Sequence, residues 1–241
     1  YEGSSRAGGR IHSATGVVGE GLVTELGAEF IDSNHRDVRA LARAFGLELI
    51  DTQTRTESKL IREAYWFGGR HYTEPEIVAK FRPLARDMRR DFDALGDVID
   101  YRTDGGAGEL DRTSLADYLA RLGPDPVIRS LLEVAYVSEY GLDPQEQSAL
   151  NLLLLIGLDA RHRFDVYGDS DERYKIRGGN ARLPAALAEA VGDALITDRR
   201  LLAIERPVDA YRLTFATPTG GVAEVNADVV LLTLPFTTLR E

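Results

Sequence analysis

Residues 1–13 read YEGSSRAGGRIHS, and the reading of this stretch decides the fold. An acid, Glu2, is followed by Arg6, by the pair Gly8–Gly9, and by Arg10. Each residue type suits one part of a dinucleotide. An acid at the end of a strand in a nucleotide-binding fold accepts hydrogen bonds from both ribose hydroxyls of an adenosine. It also repels a 2′-phosphate, which favours FAD or NAD over NADP. Adjacent glycines let the backbone approach a pyrophosphate closely and adopt positive φ. The guanidinium forks of Arg6 and Arg10 match phosphate oxygens in a way an ammonium does not. Taken alone, a glycine pair between arginines favours a surface turn with solvated charges. The whole pattern is far more specific: acid, three residues, Arg, any residue, Gly-Gly-Arg.

Working outward, residues 1–31 are rich in Gly and small residues and predict extended segments joined by tight turns. SNHRDVRALARAFG (33–46) predicts a helix capped by Ser33 or Asn34, with Val38, Leu41, Ala42 and Phe45 on one stripe and Gly46 ending it. SKLIREAYWFGGRHYTE (58–74) predicts two strands around a Gly68–Gly69 turn. A long helix should follow, with Ile77, Phe81, Leu84, Met88 and Leu95 on one face and a kink or break at Pro83. DGGAG (104–108) predicts a loop, and three helical pieces are expected over 114–122, 126–140 and 145–158. Then YKIRGGNARLPAALAEAVG (174–192) predicts strand, glycine turn and helix, with Asn180 as N-cap. The remainder to Pro235 is strand-rich, with a hairpin turn at TPTGG (217–221). The organisation is α/β in the α+β sense: a strand-containing domain over 1–50 and 172–241, interrupted by a helical insert over 51–171.

Composition is that of a globular chain with a sizeable core: 241 residues, 44% hydrophobic and 28% charged. With 39 acidic against 29 basic residues the net charge is -10, which argues against nonspecific binding to nucleic acid or an anionic membrane. An acidic surface favours cationic ligands, although acidity for solubility alone is the commoner case. There is no cysteine, so thiolate chemistry and disulfides are excluded. The longest apolar run, LNLLLLIGL (150–158), is far short of the roughly 20 residues that cross a bilayer and reads as a buried helix. His12, His35, His71 and His162 show no metal-ligand spacing, and no metal is expected. Tyr136, Tyr140 and Trp66 suit a substrate cavity or an aromatic core equally well.

The opening motif resembles the second strand and following loop of the flavin-containing amine oxidase family, which includes monoamine, polyamine and L-amino-acid oxidases. ELGAEFID (25–32) is similar to the segment whose Gly-Ala backbone, here Gly27 and Ala28, borders the flavin ring in that family. LLAIE (201–205) resembles the strand that meets the adenine, which puts Leu201 at that contact. ADVVLLTLPFTTLR (227–240) resembles the strand ending in Thr-x-Pro beside the cofactor, here Thr233 and Pro235. The resemblance covers the whole chain and implies an FAD/NAD(P)-binding Rossmann-like domain with an inserted helical substrate domain. It implies FAD as cofactor, with Glu2, Arg6, Gly8, Gly9, Arg10, Gly27, Ala28 and Leu201 binding it. Ser4 departs from the pattern, since many members carry a basic residue there.

The reaction so implied is oxidation of an amine C–N bond to an imine, with O2 reduced to H2O2. Amino-acid oxidases of this family commonly carry an arginine where this chain has Phe30, and polyamine-oxidising members can carry an acid at the position of Asp32. The implied partners are therefore O2 and a small-molecule amine, with Phe30 and Asp32 as substrate-binding residues. Against this stands the reading of Phe30 as core and Asp32 as a cap of the next helix. The family's G-x-G-x-x-G turn precedes the second strand, and its lysine near the flavin N5 and its aromatic cage follow the Thr-x-Pro strand. The chain therefore reads as a fragment, inactive by itself, with no catalytic residue assigned within it. A cytoplasmic location is favoured, and a homodimer is left open. Related readings are a flavin desaturase or protoporphyrinogen-type oxidase, and a non-catalytic GDP-dissociation-inhibitor-like protein. ELGAEFID and Thr-x-Pro favour the amine oxidases over both.

Overall fold

The computed structural model describes residues 1–56, 60–61, 63–96, 98–100, 106–207 and 209–240. Parts of the expected 58–74 hairpin segment and of the 104–108 loop lie outside the described residues. The chain divides into two compact units, Tyr1–Thr54 with Glu172–Glu241, and Arg55–Asp171. Residues 51–54 belong with the first unit because Asp51 pairs with Tyr174 in an antiparallel ladder. Arg173 reinforces that join with two bonds to the Asp51 carboxylate, at 3.0 and 2.8 Å, and its guanidinium holds Asp51 below the usual carboxylate range.

The first unit starts with β1 (His12–Thr15) and β2 (Val23–Gly27), an antiparallel pair. Helix α1 (Arg36–Ala44) follows. Its N-cap is His35, without a side-chain capping bond, so neither Ser33 nor Asn34 caps it as the sequence suggested. Strand β3 (Leu49–Asp51) pairs with β6 (Tyr174–Ile176), and β7 (Leu201–Glu205), β8 (Tyr211–Ala216) and β9 (Val222–Ala227) form an antiparallel sheet. The hairpin turn at 217–221 falls where predicted. Helix α7 (Arg182–Val191) packs Leu183 with Ile31, Ala42, Leu47 and Ile176 into a small core. Residues 228–235 form no ladder, so the expected Thr-x-Pro strand is absent from the described structure, and a short helix α8 (Phe236–Leu239) follows it. Val229 and Leu231 there are exposed.

The second unit opens with the hairpin β4 (Tyr65–Phe67) and β5 (Arg70–Tyr72), whose turn residues Gly68 and Gly69 both take positive φ (60° and 76°). Two positive-φ residues are what a twist-matched two-residue turn requires. Helix α2 (Glu74–Asp93) starts at Thr73, whose backbone N–H donates to Glu76 at 2.8 Å. It runs through Pro83 without a break in its assignment, and it buries Ile77, Phe81, Leu84 and Met88 on one face. Helix α3 (Ala107–Arg112) occupies residues read in part as loop, because two glycines masked a six-residue helix. Helices α4 (Leu115–Leu122), α5 (Pro126–Tyr140) and α6 (Ala149–Leu155) are capped by Ser114, Asp125 and Ser148 side chains. Left-handed Gly123 and Gly141 end α4 and α5. Tyr136 is wholly buried in this core, its hydroxyl donating to the Val166 carbonyl at 3.1 Å, while Trp66 is 66% exposed. Burial pushes the Tyr136 phenol up out of the range where it titrates. Among the described residues, no helix is long and apolar enough to cross a membrane.

Candidate cofactor site

The opening stretch docks against the residues just before β7. The Glu2 N–H donates to the Ile196 carbonyl at 2.8 Å, and the Arg199 N–H donates to the Glu2 carbonyl at 2.9 Å. Tyr1 stacks on Phe215 of β8 with ring centroids 4.5 Å apart, and Phe215 is the ladder partner of Leu201. The residues expected at ribose (Glu2) and at adenine (Leu201) are thus brought together through β8. Ser4, the departure from the motif, orients the acid: its N–H and hydroxyl lie 2.7 and 2.8 Å from Glu2 Oε1. Glu2 Oε2 accepts no bond among the described residues.

Gly8 and Gly9 hold φ of 110° and 51°, backbone closed to most side chains. A side chain at Gly8 would also meet Pro184 in the first turn of α7 at 3.0 Å, so the loop lies against that helix. The two arginines differ. The Arg6 guanidinium wraps its own loop, bonding the carbonyls of Gly9 (2.6 Å), Ile11 (3.2 Å) and Ala7 (3.4 Å). Arg10 is exposed and has no partner among the described residues, which leaves its charge for an anion. Its backbone does other work, because the Arg10 carbonyl oxygen sits 2.3 Å from where a Cβ on Gly27 would lie.

After Gly27 comes Ala28, at φ 58°, a conformation that costs a residue with a Cβ about 1 kcal/mol or more. What holds it is Asn180, 4% exposed. Its Nδ2 donates to the Ala28 and Glu29 carbonyls (2.7 and 3.0 Å), and its Oδ1 accepts from the Ile176 N–H at 2.8 Å. The Asn180 N–H donates to Glu25 Oε1 at 2.9 Å, the Ser13 hydroxyl donates to Glu25 Oε2 at 2.6 Å, and Ser13 Oγ accepts from the Ala181 N–H at 2.9 Å. Asn180 is therefore not the N-cap of α7; Ala181 takes that place without a side-chain bond. Ser13 and Glu25 escaped the sequence reading. The one signal for them was an acid inside a strand next to Gly27–Ala28.

Phe30 is half-buried, with the Lys175 ammonium 4.1 Å from its ring centroid and 2.9 Å from Glu29 Oε1. The Asp32 carboxylate accepts from the Glu172 N–H at 2.8 Å and lies 3.7 Å from His35 Nε2. Asp32 does not cap α1. The structure therefore gathers Glu2, Gly8, Gly9, Arg10, Gly27, Ala28 and Leu201 in one unit through direct contacts and ladders.

Residues 1–241 match the family model described as flavin containing amine oxidoreductase. The chain is 28% identical to a flavin-dependent L-tryptophan oxidase, RebO, of Lentzea aerocolonigenes, over 99% of this chain and 53% of that protein. It is 24% identical to an L-amino-acid oxidase of Notechis scutatus scutatus, over 96% of this chain and 44% of that one. An engineered triple mutant of putrescine oxidase has a similar fold, with TM-score 0.73 at 19% identity, covering 97% of this chain and 51% of that chain. The chain spans about half the length of the curated relatives it matches.

Proposed function

Since the chain belongs to the flavin-containing amine oxidoreductases, a family of FAD-dependent enzymes, we propose that the protein it represents oxidises a small amine. The observation that carries the reading is that an acid oxygen, Glu2 Oε2, and the Arg10 guanidinium, on either side of the left-handed Gly8–Gly9 loop, both lack a partner among the described residues. Glu2 would hold the ribose hydroxyls, Gly8, Gly9 and Arg10 the pyrophosphate, Gly27–Ala28 the flavin edge, and the Leu201 backbone the adenine. Arg6 supports the loop rather than the phosphate. When bound, FAD supplies the hydride acceptor for the C–N carbon, giving an imine that water hydrolyses, and O2 reoxidises it to yield H2O2. The protein's own residues bind, orient and shield it. The unit Tyr1–Thr54 with Glu172–Glu241 takes the cofactor in this reading, and Arg55–Asp171 serves the substrate.

Two tests follow. In the intact protein stripped of flavin, Glu2→Ala or Arg10→Ala should each weaken FAD affinity by about tenfold or more, by loss of a charge-assisted contact. Fluorescence titration showing unchanged affinity in both would remove the site assignment. Peroxide release measured across monoamines, diamines and L-amino acids tests the reaction itself, and silence on every amine would overturn it.

The substrate class rests on Phe30, where no arginine is available to hold a carboxylate, which favours amines over amino acids. Asp32 supplies negative charge for the far end of a diamine. Asp32→Asn should raise KM for diamines more than for monoamines. Because the Asp32 carboxylate also holds the Glu172 N–H, a purely structural role would shift both substrates alike. Equal shifts would therefore defeat the steering role.

A further inference from the structure

Helix α2 carries three arginines on one stripe, Arg82, Arg86 and Arg89, at spacings that place them on adjacent turns. Like charges so arranged repel one another and destabilise the helix, so the pattern needs a reason. Several other guanidinium groups of this unit meet acids: Arg90 with Asp87, Arg121 with Asp91, Arg129 with Glu133. Arg86 has no partner among the described residues, and Arg89 has only the Phe92 ring at 5.8 Å.

These side chains line an open depression of about 560 Å³ on the surface. Its other wall is the segment Leu158–His162. Arg82 fixes that wall by donating from Nε to the Ala160 carbonyl and from Nη2 to the Arg161 carbonyl, both at 2.9 Å. Arg161 is itself paired with Asp159. Four arginines against one aspartate leave the cleft with a net charge of about +3, in a chain whose net charge is -10. Ala85 and Leu158 give it an apolar floor, and His162 adds a further nitrogen.

We propose that this cleft binds a phosphate-bearing anion. Planar guanidinium forks on successive turns of one helix, facing a wall held by a third, suit the several oxygens of a phosphate group. The charged groups that receive the anion are Arg86 and Arg89, with Arg82 as the positioning residue for the opposite wall. The site lies wholly within Arg55–Asp171, away in sequence from the Glu2–Arg10 grip, and it needs no flavin.

The test is isothermal titration of the intact, flavin-loaded protein, so that the cofactor site is already filled. One arm uses inorganic pyrophosphate and the other ribose 5-phosphate. Saturable binding of either supports the proposal: tighter pyrophosphate identifies an inorganic polyanion, tighter ribose 5-phosphate an organic phosphate resting on Ala85 and Leu158. The double variant R86A/R89A, altered at exposed positions, should bind about tenfold more weakly or worse, and added salt should weaken the wild type. No saturable binding in either arm, or equal binding by wild type and the double variant, would overturn it.

Discussion

Gly27→Ala is expected to destabilise the first unit by about 3 kcal/mol and to lower flavin content in the purified protein. Gly27 is not there for a left-handed backbone; its φ is ordinary for any residue. The reason is space. An added Cβ falls 2.3 Å from the Arg10 carbonyl oxygen, where contact distances need well over 3 Å, so one of two backbone segments must move. Either movement is costly to the site, since one segment ends the Gly8–Gly9 loop and the other leads into Ala28. Chemical denaturation and visible absorbance of the same preparation would read both effects. Wild-type stability together with full flavin content would show that the two segments have slack the close approach does not suggest. Gly9→Ala serves as contrast: it meets no atom within 4 Å, so its cost is the left-handed φ alone, about 1 kcal/mol.

The second large effect is expected at Asn180. Asn180→Ala removes three side-chain hydrogen bonds and strands the Ile176 N–H and the Ala28 and Glu29 carbonyls near a buried position. Unsatisfied buried groups cost about 1–3 kcal/mol each, and partial relaxation brings the total to roughly 3–4 kcal/mol. Asn180→Asp is the sharper variant, being nearly the same shape. It keeps an acceptor for Ile176 but turns a donor into an anion that faces two carbonyls, on a residue whose backbone N–H is already held by the Glu25 carboxylate. At neutral pH it should be at least as damaging as alanine. Burial and Glu25 would raise that carboxyl's folded-state pKa above its unfolded value of about 4. The variant's stability relative to wild type should then be best below that unfolded value and be lost as pH rises through the folded one. A pH-independent deficit would mean that the network tolerates the charge and that the loss comes only from the missing donor bonds to Ala28 and Glu29.

These two residues also mark what the amino-acid sequence does and does not reveal. Gly8–Gly9, the 65–72 hairpin, α4, α5 and the 201–227 strands follow from local chemistry: turn glycines, serine and aspartate caps, alternating apolar residues. Asn180 looked like a helix cap because Asn before an apolar helical run usually is one. Besides Ile176 nearby, its partners Glu25, Ala28 and Glu29 lie more than 150 residues away, and nothing in the local pattern announces so distant a hydrogen bond. Arg6 and Arg10 looked equivalent for the same reason. Four residues apart in one loop, they differ only in which way the chain turns, and only the folded loop shows that Arg6 bonds its own carbonyls while Arg10 has no partner among the described residues. The missing strand at 228–235 is a failure of another kind: a strand exists only with a partner, so propensity alone cannot create it.

The join between β3 and β6 has a consequence for the order of synthesis. Thr52 Oγ1 donates to the Arg173 carbonyl across 121 residues of chain, and Ile31 pairs with Tyr174 in an isolated bridge. On a ribosome, residues 1–54 emerge long before the segment that completes their sheet and, with Ile176 and Leu183, their core. At roughly 5–20 residues per second that interval lasts about 6–24 s. During it the entire helical unit is made and can bury its own apolar face, while β3 waits as an open edge. The Glu2–Arg10 loop and the Gly27–Ala28 turn are thus translated well before Pro184 and Asn180, the residues that hold them in place.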